Sequence, residues 1–267
     1  MKLSYPVATP EIEQPLLAFS GEPEKVFVDL KSIGYQGIEP FISDPNRFDA
    51  DGFLRAAGNA GLDIAAVGTG PVAVIDKLVF SDANESRRQQ CLDRVKSIID
   101  FTAQAESQLN VGKLRGPVSN DNEAIARRDD AFHEICRYAA ERDTIVTLEP
   151  QSQSVIDNLN SSQRGLDWIE RMNEPNLHVM LDTFHMRNED SDPLSGFELA
   201  GHHLLHIHFS DTDRLAPGKG LIDFPSIVQK LRDLNYDRYI TLEISQTPSE
   251  LAAAIEAFKA TFGFLQT

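Results

Sequence analysis

Short apolar runs alternate with longer stretches of helical periodicity from one end of the chain to the other. The apolar runs predict strands over residues 1–5, 37–39, 63–67, 109–114, 145–149, 178–182, 204–209 and 239–244. Between them, apolar positions spaced three and four apart predict helices over 24–33, 49–60, 86–106, 122–141, 162–172, 224–234 and 248–262, with a weaker one near 194–199. Strand followed by helix, eight times over, is the pattern of a parallel sheet joined by crossover helices. At 267 residues it predicts an α/β fold, a single (β/α)8 TIM barrel spanning residues 1–267 as one domain. The best-marked helix start is Thr247-Pro248-Ser249-Glu250, with Thr247 as cap, proline at the first helical position and Glu250 completing a capping box. The longest unassigned loop, 210–224, carries Pro217, Gly218 and Gly220, and long loops of this kind often bear function.

In such a barrel the active site forms where the strands end. Four of the predicted strands end in a group that can bind a cation: Glu149 in TIVTLEP, Asp182 in LHVMLDTFH, His208 in HLLHIHFSD and Glu243 in YITLEIS. Singly, each is ordinary, since a Glu at a strand end is most often solvated or salt-bridged and a His there is most often structural. Jointly, ionisable groups closing four successive apolar strands point to a shared ion, because unpaired charge buried there would be costly. Three carboxylates with one imidazole suit Mn²⁺, Mg²⁺ or Co²⁺ better than a thiolate-seeking metal. His206 shares the face of His208 one layer lower, where packing or support of the ligand is expected; His202 and His203 precede the strand body and are not expected to be ligands.

Charge and composition narrow the partners. The formal charge of −16, from 41 acidic and 25 basic side chains, repels polyanions and argues against nucleic acid and anionic membrane surfaces. Cys91 and Cys136 both fall inside helical patterns, so no disulfide framework is implied. The start, MKLSYPVATPEIEQ, lacks a signal-peptide core, and no apolar run reaches the eighteen residues of a span; the expectation is a soluble, cytoplasmic protein. There is no P-loop, and VGTGP at 67–71 is too short for a dinucleotide fingerprint, so neither ATP nor NAD is expected.

The four segments, spaced 33, 26 and 35 residues apart, resemble the xylose isomerase-like TIM-barrel superfamily, and especially its ketose 3-epimerase and hydroxypyruvate isomerase branch. The resemblance covers nearly the whole chain. It implies one divalent ion, commonly Mn²⁺, held by Glu149, Asp182, His208 and Glu243, with Glu149 and Glu243 flanking the substrate carbon as acid and base. It places His185 and Arg214 on a substrate oxygen, and Glu39, which ends GYQGIEP, in the pocket wall. It also implies a small-molecule sugar substrate and a homodimer or homotetramer. For Arg214 the alternative is a loop ion pair with Asp211 or Asp213, and for Glu39 a structural salt bridge. Arg115, closing the fourth strand in LNVGKLRGP, is a candidate for orienting a substrate hydroxyl or carboxylate, with an ion pair to Glu39 or Glu149 as the alternative.

The chain departs from that branch after Glu149. Many members carry an Asn-Arg element and a further glutamate there; this chain has Pro150-Gln151-Ser152-Gln153-Ser154-Val155, and the usual acid falls at Val155. Gln151 and Gln153 are candidates for supplying amide hydrogen bonds to hydroxyls instead, or equally for capping the loop. The expected activity is a metal-dependent sugar isomerase or epimerase working through an enediolate. The alternative is a lyase or dehydratase of a keto-sugar or keto-cyclitol on the same barrel. A related DNA-repair endonuclease would need further histidines for a three-zinc cluster, and the third and fourth strands end in GTG and LRG instead.

Overall fold

The computed structural model describes residues 1–266. Nine parallel strand segments form the sheet: β1 (Lys2–Ala8), β2 (Gly37–Phe41), β3 (Asp63–Ile64), β4 (Val67–Gly68), β5 (Gln108–Val111), β6 (Ile145–Leu148), β7 (Leu177–Asp182), β8 (Leu204–Phe209) and β9 (Tyr239–Leu242). β1 pairs with β2 on one side and β9 on the other, which closes the ring. β3 and β4 occupy one stave, because the predicted 63–67 strand breaks at Ala65-Ala66 before β4 reaches Phe41 and β5. The result is an eight-stave (β/α)8 barrel, as predicted.

Around it lie α1 (Pro23–Ile33), α2 (Ala50–Ala60), α3 (Gly70–Val74), α4 (Glu85–Gln104), α5 (Asn122–Ala140), α6 (Ser162–Met172), α7 (Thr183–Glu189), α8 (Pro193–Ala200), α9 (Phe224–Asp233) and α10 (Glu250–Gln266). Short polar side chains start them by accepting the first free amides: Asp49 from Gly52, Asn84 from Arg87, Ser161 from Arg164 and Asp223 from Ser226. Their apolar faces pack on the outer side of the staves, where Phe80, Phe132 and Trp168 interlock with centroids 5.4 and 4.7 Å apart. Burying each such ring stabilises the fold by about 1.5–3 kcal/mol. The two cysteines are free and buried.

Three local expectations are corrected. The predicted capping box is not formed: α10 begins at Glu250, Ser249 Oγ accepts the Ala252 amide, and the Glu250 carboxylate instead takes the Ser20 amide and hydroxyl. The fourth strand ends at Val111, so Arg115 sits in a 3₁₀ turn (Lys113–Arg115) beyond it. Helices α3 and α7 were not anticipated. α7 begins directly on the last residue of β7, whose Asp182 side chain caps it by accepting the Phe184 amide at 2.8 Å.

Candidate metal and substrate site

The four strand-end groups meet at the C-terminal end of the barrel. Asp182 closes β7 and His208 is the penultimate residue of β8, while Glu149 and Glu243 lie one residue beyond β6 and β9. Adjacent staves in register bring them together: Asp182 pairs with His208, and His208 with Thr241 two residues before Glu243. One ligand atom from each lies within 4.8 Å of all the others. Opposite ligands of a small divalent ion stand about 4 Å apart, so the four donors match the span of one coordination sphere.

The donor set fits such an ion in two further respects. Glu149, Asp182 and His208 are buried, and several buried carboxylates without a cation are strongly disfavoured. His208 Nδ1 is buried without a hydrogen-bond partner among the described residues and lies 3.6 Å from Glu243 Oε2, so this nitrogen faces the cluster. The electrostatics are uneven. Burial, reinforced by Glu243 and Asp182, raises the Glu149 pKa even against the attraction of His208. Burial also favours the neutral form of Glu243, but Arg214 and His208 outweigh it and hold this carboxyl well below its usual range.

Arg214 stands over the cluster rather than pairing with Asp211 or Asp213. Its guanidinium reaches Asp182 Oδ2 at 2.6 Å and Glu243 Oε2 at 2.8 Å, and it lies 4.4 Å from the Phe184 ring centroid. Asp213 and Arg214 both hold left-handed backbone, with φ of 58°. That strain is offset by Asp211, whose carboxylate accepts the amides of Thr212, Gly218, Gly220 and Ile222, and by the Ser245 amide donating to the Arg214 carbonyl. His185, on α7, is 3.0 Å from Arg214 and 3.8 Å from Glu149 through Nε2, and Nδ1 is 2.9 Å from Ser152 Oγ. Burial, then Arg214, keeps its pKa well below normal, so this imidazole is neutral.

Two expected pocket residues lie elsewhere. Glu39 is fully buried beneath the cluster, not in the pocket wall: its Oε2 lies 2.8 Å from His208 Nε2 and 2.9 Å from His206 Nε2. His206 continues downward to Thr241, and Thr241 to Ser4. Glu39, His206 and His208 also form a possible ligand group, but a single carboxylate oxygen within hydrogen-bond distance of two imidazoles is a supporting network for His208. Arg115 is likewise fully buried and pairs with neither Glu39 nor Glu149 through their carboxylates. It donates to the carbonyls of Gly112, Glu149 and Asn158 and to Asn158 Oδ1, which clamps the loops after β5 and β6.

A cavity of about 270 Å³ opens above the cluster, bordered by Glu149, Glu243, His185 and Arg214, with Leu16, Phe41, Val155 and Phe184 as its apolar wall. Val155 therefore stands in the cavity, and the amide of Gln151 donates to Glu149 Oε2 at 2.7 Å. Gln153 is exposed outside it. Asn110 on β5 also lines the cavity and was missed; a polar side chain alternating with Leu109 and Val111 was the available signal. A larger hollow of about 670 Å³ lies at the opposite end, against the starts of β5 and β9, and holds none of the cluster residues. Among the described residues, no helix is long and apolar enough to cross a membrane.

Comparison with known proteins agrees with this fold. The chain is 31% identical over 127 residues to the D-psicose 3-epimerase of Enterocloster bolteae, an alignment covering 47% of this chain and 42% of that one. It is 27% identical over 218 residues to the L-ribulose 3-epimerase of a Methylomonas species, covering 79% and 74%. The structure of D-psicose 3-epimerase from Clostridium cellulolyticum H10, solved with D-tagatose, superposes with a TM-score of 0.83 over 99% of both chains at 20% identity. Residues 27–261 match the family described as xylose isomerase-like TIM barrel, and the chain belongs to that family.

Proposed function

We propose that this protein is a divalent-metal-dependent isomerase that epimerises a ketose or related hydroxy-ketone by proton transfer through an enediolate, with Mn²⁺ as its ion. The observation that carries the reading is the convergence of Glu149, Asp182, His208 and Glu243 beneath a cavity that also holds His185 and Arg214. An ion held there would polarise a ketone and its neighbouring hydroxyl, which would acidify the C–H of the carbon that bears the hydroxyl.

Glu149 and Glu243, the two glutamates of the cluster beside the cavity, are suited to remove that proton and to return one. Arg214 and the neutral His185 lie where they can stabilise the oxygen that becomes negative. The Leu16, Phe41 and Phe184 wall limits water around the carbanion-like species. Return of the proton to the opposite face of the same carbon gives epimerisation; return to its neighbour gives isomerisation. The relatives' names, D-psicose and L-ribulose 3-epimerase, support the first and a ketose substrate.

The test is a panel of ketoses incubated in D₂O with the Mn²⁺-loaded protein, read by NMR after chelation. Deuterium at the carbon beside the ketone, with appearance of the epimer, is expected. No exchange with any ketose by fully loaded protein would overturn the reading, and an ultraviolet band of an α,β-unsaturated ketone would move it to the lyase alternative.

A further inference from the structure

We infer that the side of the cavity across from the metal cluster is a subsite for an apolar substituent, so that the substrate is a ketose carrying an alkyl group at the end remote from the ion. This rests on the epimerase reading and adds a feature to its substrate. The ring of staves divides in two. Four consecutive staves, β6 to β9, supply Glu149, Asp182, His208 and Glu243. The next three round the closed ring, β1, β2 and the shared β3–β4 stave, supply the facing side of the cavity. Their contribution is Leu16 and Leu17 from the loop after β1, Phe41 at the end of β2, and Pro71 and Val74 on α3. Among the described residues of this arc, Thr69 alone lines the cavity with a side chain that bears a polar atom. It is 1% exposed, and its hydroxyl donates to the Asn110 carbonyl at 2.7 Å.

Hydroxyls laid against this arc give up water and gain no side-chain partner, which is costly. An alkyl group there gives up no hydrogen bond and takes apolar surface out of water. The arc is firm as well as apolar. Leu16 and Ile75 pack on Ala8, Ile12, Ala18 and Phe41, a small cluster separate from the main core. Gly68 makes room for the Phe41 ring, since a Cβ there would lie 2.5 Å from it. Val74 and Val155, 37% and 36% exposed, carry the apolar surface out to the rim, where an entering molecule meets it. The wall belongs to the same cavity as Glu149 and Glu243, so its occupant is the substrate's own chain. Lys113, exposed on the β5 side, is the rival determinant, because its ammonium would favour an anionic end.

The experiment follows exchange in D₂O by the metal-loaded full chain on D-psicose, its 1-O-butyl and 6-O-butyl ethers and its 6-phosphate. Leu16→Asn and Val74→Asn, which change two separate elements, are run beside it, with metal affinity and Tm measured for each protein. In the wild type, the ether whose butyl group points away from the ion should show a kcat/KM about tenfold or more above that of D-psicose, chiefly through KM. Each variant should cut that ratio about threefold or more while keeping its metal affinity. Ethers no better than D-psicose, or an unchanged ratio in both variants, would overturn the inference and leave the epimerase reading standing. A preference for the 6-phosphate, abolished by Lys113→Gln, would overturn it in favour of the lysine. Ethers without advantage, together with a dimer that Val74→Asp splits, would assign the apolar rim to a second copy of the chain. Absence of exchange with every ketose would remove both readings.

Discussion

Glu39 Oε2 stands 2.8 Å from His208 Nε2, so a carboxylate on β2 fixes which ring nitrogen of a residue on β8 faces the cluster. With the proton on Nε2, the Nδ1 lone pair is left for the ion. Glu39→Gln should weaken divalent-metal affinity by about 10–100-fold with the fold retained. Calorimetric titration of the stripped protein with Mn²⁺ checks this, and an unchanged affinity would show that the contact does not tune His208.

Gly112 and Gly58 make opposite predictions for the same substitution. A methyl at 112 would lie within 3 Å of Glu149 and Gln151, both fixed in a packed wall. Gly112→Ala should destabilise by about 1–3 kcal/mol and weaken metal binding. At Gly58, in α2, a Cβ meets nothing within 4 Å, and Gly58→Ala should stabilise by about 0.4–1 kcal/mol. Urea unfolding of the two variants beside wild type separates the cases.

Removing the ion should cost stability. A ligand bound only by the folded chain stabilises it by about 2.7 kcal/mol at a hundredfold excess over its Kd. Chelation should therefore lower Tm, and Mn²⁺ should restore it. Because Glu149 is raised toward its protonated form in the buried cluster, binding should also release protons, so that affinity rises with pH. The apparent binding enthalpy would then vary with the ionisation enthalpy of the buffer; identical enthalpies in phosphate and Tris would contradict it.

A pH effect is expected far from the cavity. His178, at the start of β7, has its pKa lowered from 6.5 to about 4, first by burial and then by His203, His202 and Arg238. The unfolded chain binds this proton more readily, so the contribution of neutral His178 is present above about 6.5 and is lost as pH falls toward 4. His178→Gln should flatten the stability profile across that window. A variant profile parallel to wild type would assign the slope to other groups.

How far the sequence foretold this site depends on what each residue's position encodes. Glu149, Asp182, His208 and Glu243 were legible because a polar group closing an apolar strand stands out, and strand ends in a parallel barrel share one face. Glu39 and Arg115 were misplaced because alternation gives the side of a strand but not the layer. Glu39 lies a layer below His208, and Arg115 leaves the strand in a 3₁₀ turn. α7 was missed because no loop separates it from β7; Asp182 both caps the helix through Oδ1 and meets Arg214 through Oδ2. The place of Arg214 depends on two left-handed residues held by Asp211, which no periodicity reveals.

In the proposed reaction two glutamates on one ion-binding cluster move the proton. Deuterium uptake from D₂O at the carbon beside the ketone, compared among wild type, Glu149→Gln and Glu243→Gln with the ion content of each verified, separates their roles from that of the ion. Each variant that retains its ion should exchange about 10²- to 10⁴-fold more slowly than wild type. Exchange at the wild-type rate in either metal-loaded variant would contradict the role assigned to that glutamate.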